Sequence, residues 1–145
     1  MIKQGIDCIG ITTVFFCHDG KGNFVMHKRS EKCRDEIGRW DFGGGAMEFG
    51  ETFDQAVSRE IKEEYTVDVL ELKFLGVRNL LRKAASQDSH WIVLIFAALV
   101  DPKKVKIGDP EKMAELGWFR KDKLPKPAHS GLKLVFDVIK EAGIV

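Results

Sequence analysis

A mixed α/β fold with its sheet between helices is predicted by three features of the chain. Stretches of strand length and two segments of helical period follow one another in the order strands, helix, strands, helix. The length, 145 residues, suits one core and a single domain over 1–145. The composition, 44% hydrophobic and 31% charged, is that of an ordinary globular chain.

Each element has its own local reason. Residues 9–17 are rich in β-branched and aromatic side chains and read as a strand. His18-Asp19-Gly20-Lys21-Gly22-Asn23 is a turn cluster, and Phe24–Arg29 is the returning strand of a hairpin. Residues 30–38 are polar and charged, hence a surface loop. Residues 39–42 form a short strand that runs into Gly43, Gly44 and Gly45. In 52–64, Phe53, Ala56, Val57 and Ile61 share one helical face, with Thr52 or Glu51 near the N-terminus, where acidic groups suit the helix dipole. Residues 67–81 look extended in their first half. Residues 91–100 have the length and composition of a buried strand. A loop over 101–110 holds two prolines and a glycine, 116–119 is a short strand, and 132–142 carries Leu132, Val135, Phe136, Val138 and Ile139 at near-helical spacing.

Composition also excludes functions. A formal net charge of +1 gives no polyanion-binding surface, so no nucleic-acid partner is expected. The strongly apolar run 91–100 is far short of the roughly 20 residues that span a bilayer, so no membrane partner is expected either. Cys8, Cys17 and Cys33 are odd in number and lack metal-site spacing, which suits reduced thiols. With no signal-peptide pattern at the N-terminus, a cytoplasmic location is the expectation.

The chemistry lies in 45–67, GAMEFGETFDQAVSREIKEEYTV. Glu60 and Glu64 are one helical turn apart and Glu63 lies beside them. Like charges so placed repel, and a divalent cation among them removes the repulsion. Hard carboxylate oxygens, with room left for water and phosphate, suit Mg2+, with Mn2+ as a substitute. Arg59 is placed to hold Glu51 or a neighbouring loop carboxylate. Gly43, Gly44 and Gly45 allow close backbone approach, so a carbonyl there can join the cation's shell.

The spacing of Gly45, Glu51, Arg59, Glu60, Ile61, Glu63, Glu64 and Val67 resembles the signature of the Nudix hydrolase family. Chance agreement at these positions is on the order of one in a hundred million per window. The resemblance implies an α/β/α sandwich with a mixed central sheet and a loop-helix-loop metal site. It implies that Glu60, Glu63 and Glu64 are metal ligands or the base, that the carbonyl of Gly44 is a further ligand, and that Glu51 supports the site. It also implies one more acidic ligand from a later loop, for which Asp109 and Glu111 are the candidates. The sequence departs from the signature at Thr66, where the family has a glycine, and at Gly43, where many members have proline. A β-branched residue seldom adopts the left-handed conformation, so the chain is expected to leave the helix after Tyr65 by another route.

The substrate expected is a nucleotide, with Trp40, Phe42, His90 and Trp91 as base or ribose contacts and Lys28, Arg29 and Arg39 as phosphate contacts. Three readings compete. The first is a nucleoside triphosphate pyrophosphohydrolase releasing monophosphate and pyrophosphate. The second acts on ADP-ribose, a nucleotide sugar or a dinucleoside polyphosphate. The third is a catalytically silent nucleotide-sensing module. A homodimer is left open by the sequence.

Overall fold

A computed structural model of the chain describes residues 1–83 and 87–145. The elements are β1 (Gly10–His18), β2 (Phe24–Arg29), β3 (Trp40–Asp41), β4 (Gly43–Ala46), α1 (Phe53–Tyr65), β5 (Glu71–Arg82), β6 (Ser89–Leu99), β7 (Met113–Phe119) and α2 (Leu132–Glu141). The strands join in one sheet of order β3-β2-β1-β6-β5, with β4 also paired to β1 and β7 to β2. β1 and β6 run parallel and the other pairs are antiparallel, so the sheet is mixed.

The two helices cover opposite faces, and β1 shows why. Successive side chains of a strand point to opposite faces. Phe15 packs with Val57, Ile61 and Tyr65 of α1. Its neighbour Phe16 packs with Val135, Phe136 and Ile139 of α2. Two separate apolar clusters result, one on each side of the sheet, and the whole is the α/β/α sandwich that the sequence led us to expect.

Three details differ from expectation. Extended structure in 67–81 starts later than expected and reaches past its first half: β5 runs from Glu71 to Arg82. A register shift between Phe74 and Gly76 breaks the alternation that would mark this strand in sequence. β7 begins at the buried Met113, three residues before the expected 116. The three glycines are themselves a strand rather than the end of one. β4 lies so close to β1 that a Cβ on Gly44 would stand 2.3 Å from the carbonyl oxygen of Thr13.

α1 starts as its sequence dictates. Thr52 Oγ1 accepts from Gln55 N at 3.2 Å and Gln55 Oε1 accepts from Thr52 N at 2.9 Å, a reciprocal cap. Its other end overturns the expectation for Thr66. This residue caps the helix at φ 59° and ψ 21°, in the left-handed region, with its amide donating to Lys62 O at 3.1 Å. The chain takes the glycine-type exit without the glycine. Space for the threonine comes from Gly108 in the crossing loop, where a Cβ would meet Thr66 Cγ2 at 3.1 Å and Glu63 O at 2.1 Å.

Candidate active site

The signature residues gather where α1 lies against β4. Arg59 is their common cation. Its guanidinium grips Glu51 with two bonds, Nε to Oε2 at 2.7 Å and Nη2 to Oε1 at 2.9 Å. Nη1 donates to Glu60 Oε1 at 3.0 Å and reaches Glu63 at 3.4 Å and Glu48 at 3.8 Å. Glu51 also accepts from Glu48 N at 2.8 Å. The bond from Arg59, followed by that from the Glu48 amide, holds the Glu51 carboxyl down at about 2. The loop before α1 is thus pinned to the helix by charge.

Glu60 and Glu64 face inward and are 7% and 5% exposed, whereas the Glu63 side chain is 58% exposed. Glu64 Oε2 accepts from Gly44 N at 3.1 Å. An extended residue sends its amide and carbonyl to the same edge, so the Gly44 carbonyl leaves β4 on the side of α1. Burial, then the charge of Glu60, raises the Glu64 carboxyl well above its usual range. Burial also raises Glu60, against the pull of Arg59. Glycine is required at two places here. A Cβ on Gly45 would lie 2.3 Å from Glu60 Oε1, and one on Gly43 would lie 2.7 Å from Glu64 Oε2.

This donor set fits a hard divalent cation. It is all oxygen, burial disfavours the ionised form of two of its carboxylates, and the glycines leave a cradle beside them. Among the described residues, no three acidic, histidine or cysteine groups already stand as a closed shell. Glu63 is turned to Arg59 instead. The crossing loop docks on the C-terminal turn of α1, with Gly108 N donating to Glu64 O at 2.8 Å. Of its two candidate ligands, Asp109 accepts from Glu111 N at 3.2 Å, and Glu111 pairs with Lys32 at 3.1 Å.

A cleft of about 350 Å³ opens beside Glu64 and the glycine strand, over an apolar floor that includes Val14, Leu80, Trp91, Val93 and Val135. The expected substrate contacts divide around it. Arg29, Phe42 and Trp91 line it. Arg29 is already engaged with Asp35 at 3.0 Å. The Trp91 indole is partly roofed by the backbone of Gly5 and Gly10, where added Cβ atoms would stand 2.2 and 2.5 Å from the ring. Trp40 is core, edge-on to Phe119. Lys28 pairs with Glu115 at 3.8 Å, and Arg39 donates to Ala128 O at 3.0 Å. His90 lies outside the cleft, in a second hollow with Gly5, Ile6 and Cys8, bonded to Asn79 Oδ1 at 2.9 Å.

The cleft also holds Asp41, Arg34, Arg82 and His129, which the sequence reading did not single out. Asp41 is an acid in a two-residue strand between Trp40 and Phe42, and that placement was the available signal. Burial pushes its carboxyl up to about 7, against the pull of Arg29.

Helices on both faces of a mixed sheet, with an oxygen-lined site where one helix meets a glycine strand, define a class of α/β/α protein with a helix-borne acidic centre. The family follows directly. A profile of the NUDIX domain matches residues 10–138, and the chain belongs to the Nudix hydrolase family. The NAD-capped RNA hydrolase NudC of Yersinia enterocolitica is 31% identical over 101 residues, 66% of this chain and 35% of that protein. The 8-oxo-dGDP phosphatase NUDT18 of Danio rerio is 32% identical over 108 residues, 72% of this chain and 31% of that protein. The match to these curated relatives thus spans about a third of their length. A MutT NUDIX hydrolase from Burkholderia pseudomallei superposes with a TM-score of 0.78 at 25% identity, over 90% of this chain and 97% of the other. The MutT protein from Methanosarcina mazei shares the fold, with a TM-score of 0.73 at 23% identity over 93% of each chain. One expectation is corrected here. A relative that acts on NAD-capped RNA removes the ground for setting nucleic acid aside as a substrate. Among the described residues, no helix is long and apolar enough to cross a membrane.

Proposed function

We propose that this chain is a magnesium-dependent hydrolase that cleaves the phosphoanhydride of a nucleoside diphosphate linked to another group, with a nucleoside triphosphate as the first candidate. The observation that carries this reading is the buried Glu60–Glu64 pair, set against a glycine strand that, with Glu64, lines an apolar cleft. Two acids whose ionised forms burial disfavours are costly to a free protein and useful to one that binds a cation. Glu60, Glu64, Glu63 and the Gly44 carbonyl would hold Mg2+ or Mn2+, with Asp109 or Glu111 as the further ligand from the crossing loop. When bound, the cation polarises a phosphoryl oxygen and lowers the pKa of the attacking water.

The remaining work falls to side chains already in place. Arg59 and Glu51 fix the helix to its preceding loop and so set where Glu60 points. Glu63, the exposed member, is free to turn from Arg59 and accept a proton from water. The cleft takes the nucleoside and its walls exclude water. The single domain and the cytoplasmic setting remain part of this reading.

The test is hydrolysis of nucleoside triphosphates, nucleotide sugars, ADP-ribose, dinucleoside polyphosphates and an NAD-capped RNA, with and without Mg2+. Magnesium-dependent release of a nucleoside monophosphate or its derivative is expected, reduced at least about tenfold in Glu64→Gln. Tight nucleotide binding with no turnover on any of them would instead establish the silent sensing module.

A further inference from the structure

α1 covers only part of its face of the sheet. It packs chiefly on β1 and β4, and the β6–β5 end of that face is left largely open. Facing residues of paired strands share a face, which shows what lies there. Phe74, Val77, Asn79 and Leu81 of β5 stand opposite Phe96, Leu94, Ile92 and His90 of β6. Phe96 and Leu94 belong to the apolar cluster under α1. Ile11 of β1, opposite Ile92, extends the row. The register shift between Phe74 and Gly76 is what puts Phe74 and Val77, three residues apart, on one face. Ile9 and Leu81 carry the face into the second hollow, of about 430 Å³. Phe74, Val77, Leu81, Ile9 and Ile11 are each between 41% and 67% exposed.

Lys73 and Arg78 of β5 stand opposite Ala97 and Val93, on the α2 side, where Arg78 reaches Glu141 at 3.4 Å. The open face is left without such charges. Its polar side chains on β5 and β6, Asn79 and His90, bond each other at 2.9 Å, so covering them strands neither. Five apolar side chains about half exposed offer roughly 400–500 Å² of surface, a patch of the size that marks a contact site. With a polar rim around it, such a core approaches the roughly 800 Å² that each partner buries in a standard interface. An uncharged face offers no complement to an acidic or basic partner, and it meets its own copy without repulsion. We propose that this face is the interface of an isologous dimer, with a second copy of this chain as its occupant. A two-fold axis along the strands stacks two such faces about 10 Å apart, close to the depth of one helix. Each α1 then lies beside the other copy's β5, whose outer edge has no partner strand among the described residues, and covers that edge.

The test is sedimentation equilibrium on wild type, Phe74→Glu, Leu81→Glu and Lys73→Gln over a range of chain concentrations, with thermal melts on the same samples. Wild type is expected to sediment at twice the mass of one chain and to melt higher as its concentration rises. Phe74→Glu and Leu81→Glu each bury a charge at the centre of the face and should weaken dimerisation at least about thirtyfold, the effect of losing an interface hot spot. Their melting should no longer depend on concentration. Lys73→Gln changes the opposite face of the same strand and should dimerise as wild type does. Should the glutamate variants fail to fold, Phe74→Gln and Leu81→Gln give the same comparison. A wild type that stays monomeric up to about 200 μM, a concentration at which a dimer with a Kd of 1 μM is almost fully formed, overturns the inference. So does such a monomer that binds a hydrophobic dye at this face and loses the dye in Phe74→Glu, which assigns the face to a different partner. A dimer that persists in both glutamate variants overturns it too, because the interface then lies elsewhere.

Discussion

Thr66→Gly should stabilise this protein, contrary to what the sequence alone suggests. Thr66 is exposed and sits at φ 59°. Left-handed backbone costs a residue with a Cβ roughly 1–2 kcal/mol, and glycine escapes that cost. Against this, glycine gains freedom in the unfolded chain worth about 0.4–1 kcal/mol. The side chain offers little to retain it: Oγ1 reaches Lys104 O only at 3.5 Å. The balance is a gain of roughly 0.5–1 kcal/mol, or about 2–4 °C in Tm for a domain of this size. Thr66→Asn should also gain, since asparagine tolerates this conformation without the entropy loss. Thr66→Ala keeps a Cβ and should gain least. Thermal melts and urea titrations on the three variants are the measurement, with magnesium-dependent hydrolysis followed in parallel. Turnover should move little, because the proposed ligands precede this position. A Thr66→Gly protein that melts below wild type would refute the strain argument and show that the Gly108 contact holds the threonine favourably.

Other expectations follow from the same geometry. Gly45→Ala should cut hydrolysis at least about tenfold with a modest loss of stability, because its methyl displaces the Glu60 carboxylate, a movable group. Gly44→Ala should destabilise markedly in a melt, because its methyl meets the Thr13 backbone at 2.3 Å and neither strand can yield. Glu64→Gln should raise Tm at neutral pH while lowering turnover, because it removes a carboxyl whose ionised form burial strongly disfavours. His27 is buried against Tyr65 Oη at 2.8 Å, and burial followed by the Arg29 charge lowers its pKa to about 4. The unfolded chain therefore takes up this proton first, so stability should fall as pH drops from about 6.5 to about 4, by at most roughly 3 kcal/mol. Denaturant titrations across that range on wild type and His27→Gln should show a smaller slope in the variant.

What was legible in the sequence was what depends on near neighbours. The start of α1 near Thr52, its apolar face and the Glu51–Arg59 grip all lie within eight residues along the chain, and periodicity or motif spacing reports them. β5 was placed only in part because its bulge hides the alternation. His90 looked like a site residue because it ends a strand, but which hollow that end borders depends on Gly5, far away in sequence. Asp41 carried no readable meaning for the same reason. Its place on the cleft wall arises from β3 lying beside the segment before α2, where Trp40 N donates to Pro127 O and His129 N donates to Trp40 O, both at 2.8 Å. Thr66 was misjudged on a sound rule. A left-handed β-branched residue is disfavoured by only a kilocalorie or two, and the cap bond to Lys62 together with the docked loop at Gly108 is enough to hold it there.

Two acids on the cleft wall share one physical design. Glu64 and Asp41 both have ionised forms disfavoured mainly by burial, and the charge of Asp41 adds to the penalty at Glu64. The nearby guanidiniums are committed elsewhere, Arg59 to Glu51 and Glu60, Arg29 and Arg82 to Asp35. A cation bound at Glu64 relieves that acid directly and, through the shared charge, eases its neighbour. A nucleotide carrying its metal brings that cation. Magnesium and a nucleotide together should therefore raise Tm by more than the sum of their separate effects, each set by ligand concentration relative to its Kd. Glu64→Gln should abolish the magnesium part of that response. A melt series in which Glu64→Gln keeps the full magnesium response would show that this acid does not hold the cation.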